Sequence, residues 1–247
     1  MPRRSVFKEL TKYYDLIYSW KDYQKEADKI KSLIKKYKKS DGHDLLEVAC
    51  GTGKHLAYLK DSFSILATDL NKTMLSIASK NVPDVAFKQA DMINLNLNKK
   101  FDVILCLFSS IGYVRTYSNL TKTIQNFAKH LKVGGLVIIE PWFTETVYIT
   151  GLPSMTTYDG ERIKISRLCV SEKRGILSVM DMHYLIAEQN QKIKHFVEKH
   201  ELAMFDVDKV LNIMKKQGLQ GVFLKNGLMK DRGLYIGIKK TRTFNEE

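Results

Sequence analysis

The chain has 247 residues, enough for one α/β domain with an appendage or for two small domains. Hydrophobic residues make up 44% and charged residues 27%, which supports a packed core and excludes wholesale disorder. A formal net charge of +13 admits an anionic or nucleic-acid partner, and no apolar run reaches the ~20 residues of a membrane span.

At the N-terminus, Met1-Pro2-Arg3-Arg4 leads into polar and aromatic residues without the apolar stretch of a signal peptide. Tyr13-Tyr14-Asp15-Leu16-Ile17-Tyr18 sets aromatic residues around an acid, readable as helix packing or as a flap over a ligand. Residues 22–38 predict a helix, because Tyr23, Ala27, Ile30, Ile34 and Tyr37 recur as one apolar stripe. Lys25, Lys29, Lys31, Lys35, Lys36 and Lys38 mostly fall off that stripe and read as a solvated face; a nucleic-acid surface is the alternative. Leu45-Leu46-Glu47-Val48-Ala49 is a short apolar run ending in glycines, the pattern of a buried strand. A short helix with Leu56 and Leu59 follows, then a strand over residues 64–69. Asn71 is placed to cap a helix carrying Met74, Leu75 and Ala78. Residues 85–90 and 101–106 read as strands, and Leu120, Ile124, Phe127 and Leu131 as a helical stripe. Gly134 and Gly135 open a fifth strand, 136–140, stopped by Pro141. Strands alternating with helices predict a parallel sheet covered on both faces.

After Pro141 the pattern changes. Residues 162–170, 176–187 and 192–202 read as longer strands separated by turn-like segments at 171–175 and 188–191, an antiparallel meander. Asp206 then caps a predicted helix over 207–217, Gly218 stops it, and 221–225 and 234–238 read as the last strands. The expected division is 1–142 (N-terminal helices and α/β core), 143–203 (the meander, covering the acceptor site) and 204–247 (the last helix and two more core strands). Cys50, Cys106 and Cys169 are odd in number and far apart, which argues against a disulfide framework and fits a reducing cytoplasm.

The run that carries chemistry is Glu47-Val48-Ala49-Cys50-Gly51-Thr52-Gly53. Gly51 and Gly53 let the backbone turn sharply and approach a ligand closely. A dinucleotide fingerprint wants a third glycine where Leu56 stands, and a P-loop wants Ser or Thr where His55 stands. An acid opening such a loop resembles motif I of the class I methyltransferases that use S-adenosylmethionine (SAM). Asp69 ends the second strand, where a carboxylate can accept from both ribose hydroxyls; capping the next helix is its other reading. Asp91 follows the third strand, where the acid or its neighbour Met92 would meet an adenine amino group; the alternative is a solvated loop carboxylate. Three acids at the carboxyl ends of successive strands match the ligand-binding edge of an open sheet.

The resemblance then becomes specific. The chain resembles the N,N-dimethyltransferases of nucleotide-linked 3-amino-deoxysugars (desosamine and mycaminose type) over nearly its whole length. The shared residues are Tyr14-Asp15, Lys21-Asp22-Tyr23, Glu26-Ala27, Val48-Ala49-Cys50-Gly51-Thr52-Gly53 with His55-Leu56, Phe108-Ser109-Ser110-Ile111-Gly112, Glu140-Pro141-Trp142, His183-Tyr184 and Arg232-Gly233-Leu234. The resemblance implies a Rossmann-like seven-stranded class I methyltransferase sheet with an inserted antiparallel β meander. It implies SAM as cofactor, S-adenosylhomocysteine (SAH) as product, and cofactor contacts from Tyr14, Glu47, Ala49, Gly51, Gly53, Asp69, Leu70, Met74, Asp91, Met92 and Phe108. Tyr14 and Tyr113 are the catalytic candidates, and Tyr18, Ser110, Trp142, His183 and Arg232 the substrate-binding ones.

Tyr113 stands where the family usually has histidine, and a phenol with a pKa of about 10 is a poor base at neutral pH. Arg232 and nearby lysines are placed to hold a diphosphate, with a solvated turn as the other reading of Arg232. Trp142 stacks on a sugar or base, or belongs to the core. The expected partner is a small-molecule amine, such as a nucleotide-sugar. The run after the fourth strand lacks the Asn/Asp-Pro-Pro-Tyr/Phe pattern of base methyltransferases, which argues against nucleic acid, and no membrane partner is expected. A homodimer is left open. RNA or protein methylation, a glycine-type small-amine N-methyltransferase and a SAM-binding protein without transferase activity remain as rivals. No Cys-x-x-Cys or His-x-His pattern suggests a metal site; His195 and His200 share a predicted strand at an odd separation, which puts them on opposite faces.

Overall fold

A computed structural model describes residues 10–241; the reading of Met1-Pro2-Arg3-Arg4 lies outside them. In chain order these residues form α1 (Tyr14–Ile17), α2 (Tyr23–Tyr37), β1 (Asp44–Val48), α3 (Leu56–Leu59), β2 (Ser64–Asp69), α4 (Lys72–Asn81), β3 (Ala86–Gln89) and β4 (Phe101–Cys106). There follow α5 (Tyr117–His130), β5 (Leu131–Ile139), β6 (Pro153–Asp159), β7 (Ile163–Arg174), β8 (Leu177–Glu188), β9 (Lys194–Ala203), α6 (Val207–Lys216), β10 (Leu219–Leu224) and β11 (Leu234–Lys239). Among the described residues no helix is long and apolar enough to cross a membrane.

The chain forms two compact units. The larger, Tyr23–Val147 with the described part of Met204–Glu247, holds a seven-stranded sheet in the order β10-β11-β5-β4-β1-β2-β3. β1 to β5 are mutually parallel, while β11 runs antiparallel to β5 and β10 antiparallel to β11. The stripe read on α2 is the one that packs: Ala27, Ile30 and Ile34 are buried with Leu45, Val103, Leu105, Leu136 and Ile138. Leu56 joins a second cluster with Ala67, Val82 and Val85. β1 and β4 are central because they are apolar on both faces; every residue of β4 is buried. The chain leaves β1 for β2 on one side and reaches β4 on the other, so β1 marks the switch point of the sheet, where ligands bind beyond the carboxyl ends of the strands.

The smaller unit joins the described part of Met1–Asp22 to Tyr148–Ala203 and holds a four-stranded antiparallel sheet, β6-β7-β8-β9. Leu10, Tyr13 and Ile17 pack with Ile165, Tyr184 and Ile186, so the N-terminal helix clusters with this sheet rather than with the core to which residues 1–142 were assigned. Two expectations need correction. The meander has four strands, not three: β6 escapes the pattern because it is an edge strand opening on Pro153 and is largely exposed on both faces. β5 starts at Leu131, since Phe101 pairs with Leu131 but Val103 with Leu136, and the extra residues bulge through Gly134 (φ 76°) and Gly135.

Candidate active site

All cofactor candidates except Tyr14 lie in the larger unit. After β1 the backbone enters the left-handed region at Ala49 (φ 56°), Gly51 (φ 57°) and Gly53 (φ 77°). A Cβ on Gly51 would meet nothing within 4 Å, so the space above this turn is open, whereas one on Gly53 would press on Ala78 Cβ at 3.3 Å. Glycine at 51 thus serves the backbone and ligand approach, and glycine at 53 the packing of α4 as well. Asp69 braces the turn: its Oδ2 accepts from Gly51 N at 2.9 Å and its Oδ1 from Asn71 N at 2.8 Å. The cap of α4 is Asn71, accepting from Thr73 N, which settles the alternative reading of Asp69 as that cap. Burial raises the Asp69 carboxyl, opposed by the backbone N–H groups of Asn71, Gly51 and Leu70. Asp91 caps a short 3-10 turn (Met92–Asn94) through Ile93 N at 2.9 Å. Met74 is buried, Met92 half-buried and Leu70 exposed.

Glu47 lies beneath the turn, 2% exposed, and its Oε2 has no hydrogen-bond partner. Its Oε1 faces His55 Nδ1 at 3.8 Å, and His55 Nε2 is 2.8 Å from Glu26 Oε2 on α2. Burial first, and then the charge of Asp69, push the Glu47 carboxyl up to about 8. Burial also pushes the Cys50 and Cys106 thiols well above their ordinary value, so neither supplies a thiolate nucleophile.

Beyond β4 the rim is held under strain. Phe108 (φ 50°) and Ser109 (φ 64°) are both left-handed without being glycine. Phe108 N donates to Glu140 Oε2 at 2.7 Å, and Ser109 Oγ donates to Pro141 O at 2.9 Å. Arg232 Nη1 donates to Ser109 Oγ at 2.9 Å, and the guanidinium lies 4.6 Å from the Trp142 ring, 5.2 Å from Phe143 and 5.7 Å from Phe108. Arg232 is therefore buried, and the solvated-turn alternative fails. Ser110 opens a 3-10 turn (Ser110–Val114) that carries Tyr113, exposed.

The remaining candidates belong to the smaller unit. The Tyr14 and Tyr18 rings are 4.7 Å apart, and Arg167 Nη1 donates to Tyr18 Oη at 2.8 Å. His183 is exposed and stacks on His195 with ring centroids 5.4 Å apart. Among the described residues no group of three or more His, Cys, Asp or Glu is placed to hold a metal. Sequence reasoning assigned no role to Glu26, His55, Ser109 or Arg167. The first three stood inside the shared runs, so their signal was present; Arg167 stood in none of them.

The sheet order, the glycine turn after β1 and the acids at the carboxyl ends of β1 to β3 define a class I SAM-dependent methyltransferase. A family model described as a methyltransferase domain matches residues 45–135. The chain is 34% identical to the dTDP-4-amino-2,3,4,6-tetradeoxy-D-glucose N,N-dimethyltransferase of Saccharopolyspora spinosa, over 92% of this chain and 91% of that one. It is 30% identical to the dTDP-3-amino-3,6-dideoxy-alpha-D-glucopyranose N,N-dimethyltransferase of Streptomyces fradiae, over 96% and 93%. The crystal structure of Streptomyces venezuelae DesVI superposes with a TM-score of 0.86 at 31% identity, covering 92% of this chain and 96% of that one. The chain belongs to the class I SAM-dependent methyltransferases, in the family of the dTDP-amino-deoxysugar N,N-dimethyltransferases. It is an enzyme, with SAM as cofactor. The site suits that cofactor: the space above Gly51 is open and the free Glu47 oxygen is matched to a cationic group.

Proposed function

We propose that the chain transfers a methyl group from SAM to the amine of a nucleotide-linked amino sugar. The observation that carries this reading is the extent of the similarity. It spans both units, including the antiparallel sheet, and is not confined to the glycine-turn segment common to methyltransferases at large. Relatives named for a 3-amino and for a 4-amino sugar are similarly close, so the position of the amine on the ring is left to experiment.

In this proposal Glu47 faces the cofactor's ammonium group and the spare lone pairs of Asp69 accept from the ribose hydroxyls. Asp91 and Met92 meet the adenine; Ala49, Gly51, Gly53, Leu70, Met74 and Phe108 line the remainder. SAM supplies an electrophilic methyl group whose leaving group is a neutral thioether. The chain's residues hold the amine in line with it, and such positioning can supply about 7–11 kcal/mol of the barrier. Ser110, Tyr113 and Trp142 are the orienting groups of the rim; no strong base is needed, because water can take the amine proton. Arg232 serves this rim by fixing Ser109 and Trp142.

The test is turnover of methyl-labelled SAM against dTDP-amino sugars with 3- and 4-amino groups, alongside glycine and RNA. Methyl transfer to an amino sugar is expected. Transfer to glycine or RNA alone would replace the proposal. The Tyr14→Phe variant is expected to lower turnover more than SAM affinity.

A further inference from the structure

We propose that Arg167 and Trp20 form a subsite of the smaller unit for a nucleoside diphosphate, the guanidinium holding the phosphates and the indole stacking on the base. The inference deepens the proposed reading of the acceptor as a nucleotide-linked sugar and rests on it.

Two independent features carry it, both inside the smaller unit. The first is a cation held only by neutral groups. Arg167 lies on β7 opposite Tyr184 of β8 and is half-buried. Its Nη1 donates to Tyr18 Oη at 2.8 Å, and the Tyr184 hydroxyl lies beside it. Phenols are neutral at pH 7, and burial raises Tyr184 further above its ordinary value. Among the described residues no carboxylate lies within ion-pair distance of this guanidinium. Glu198, 3.5 Å from Tyr184 Oη, is instead 3.1 Å from His200 Nε2. Arginine stays charged at every working pH, and a charge drawn partly out of water calls for an opposite one. The phenols take only part of its five N–H donors, and the rest of the fork suits phosphate oxygens.

The second feature is an indole left in solvent. Trp20 is 56% exposed, yet it does not stand alone. Its ring is 6.5 Å from that of Tyr18, which is 4.7 Å from that of Tyr14, so it ends an aromatic row. The Arg167 guanidinium lies 5.1 Å from the same Tyr18 ring. Cation and indole therefore flank one tyrosine, within the span of a single nucleotide. Bases stack on such rings through faces that every base possesses. Arg232, the arginine read from the sequence for a diphosphate, is instead buried against Ser109 and the rings of the larger unit.

The experiment is calorimetric titration of the whole protein with dTDP, with pyrophosphate and thymidine as competitors. R167Q is expected to weaken dTDP binding roughly ten- to hundredfold, and W20A roughly five- to hundredfold. R167K, which keeps the charge without the fork, should fall between wild type and R167Q. The two halves should separate: R167Q loses competition by pyrophosphate and keeps that by thymidine, and W20A does the reverse. SAH affinity should stay at the wild-type value in all three variants. W20A changes an exposed side chain, so its result stands even where R167Q fails to fold. With dTDP-amino sugars as acceptors, KM should rise in R167Q and W20A while kcat stays close to wild type. Wild-type dTDP affinity and KM in W20A and R167K would overturn the subsite, as would equal loss of both competitors in W20A; amino-sugar turnover by wild type would then leave the proposed function standing. Absence of that turnover in wild type removes the proposed function, and the subsite with it.

Discussion

Asp69 shows how one side chain serves both fold and chemistry. Its two oxygens accept from the backbone N–H groups of Gly51 and Asn71, which fixes the carboxylate at the end of β2. A carboxylate has about four lone-pair sites, so it can still accept from the donors of a ribose diol. Hydrogen bonds to a charged acceptor contribute about 1.5–3 kcal/mol. Asp69→Ala is therefore expected to weaken SAH binding by roughly ten- to hundredfold by calorimetry. The fold should survive, because α4 keeps its own cap in Asn71. Asp69→Asn, which retains one acceptor, should fall between the two. Equal affinity in wild type and both variants would end the ribose assignment.

At the scale of elements, the segment after β4 depends on groups from elsewhere in the larger unit. The left-handed backbone of Phe108 and Ser109 is held by side-chain and backbone groups from Glu140, Pro141 and Arg232. A lysine at 232 keeps the charge but loses the planar fork and the aromatic stacking, together worth about 1–2 kcal/mol. Arg232→Lys is thus expected to lower kcat/KM for the acceptor about tenfold, with little change in SAH affinity; an unchanged rate would show that the rim holds its shape without the guanidinium. The runs at Phe108 and Arg232 were visible in the sequence, but their contact was not, since the two residues lie far apart in the chain and no periodicity links them. The same holds for Glu26 and His55. What was legible was local. β2 and β4 were read with their observed bounds, because apolar runs between turn residues mark buried strands. Asn71 and Asp206 were read as caps for the same reason: each bonds a backbone N–H two or three residues on. β6 was illegible because an exposed edge strand has no inward face to set a pattern.

Across the whole molecule, two buried or bonded carboxylates give stability opposite dependences on pH. In the smaller unit Glu188 accepts from the Tyr13 hydroxyl at 2.5 Å, and Lys12 and Lys194 lie at 3.2 and 3.3 Å. The Tyr13 hydrogen bond first, and then Lys12 and Lys194 against the opposing effect of burial, hold its carboxyl down at about 2. Its contribution is complete above the unfolded carboxyl value of about 4.3 and is lost as pH falls toward 2. In the larger unit Glu47 is raised to about 8 by burial and by Asp69. The folded chain then keeps a proton that the unfolded chain has already released, so Glu47 lowers stability progressively as pH rises from about 4.3 to about 8. Glu188→Gln should narrow its stability deficit as pH falls from 4.5 to 2.5. Glu47→Gln, measured without cofactor, should gain melting temperature relative to wild type as pH rises from 5 to 8. The positive net charge grows in acid for every variant alike, so these differences isolate the two carboxyls. A Glu47→Gln difference that stays constant from pH 5 to 8 would mean that Glu47 is already ionised in the folded chain.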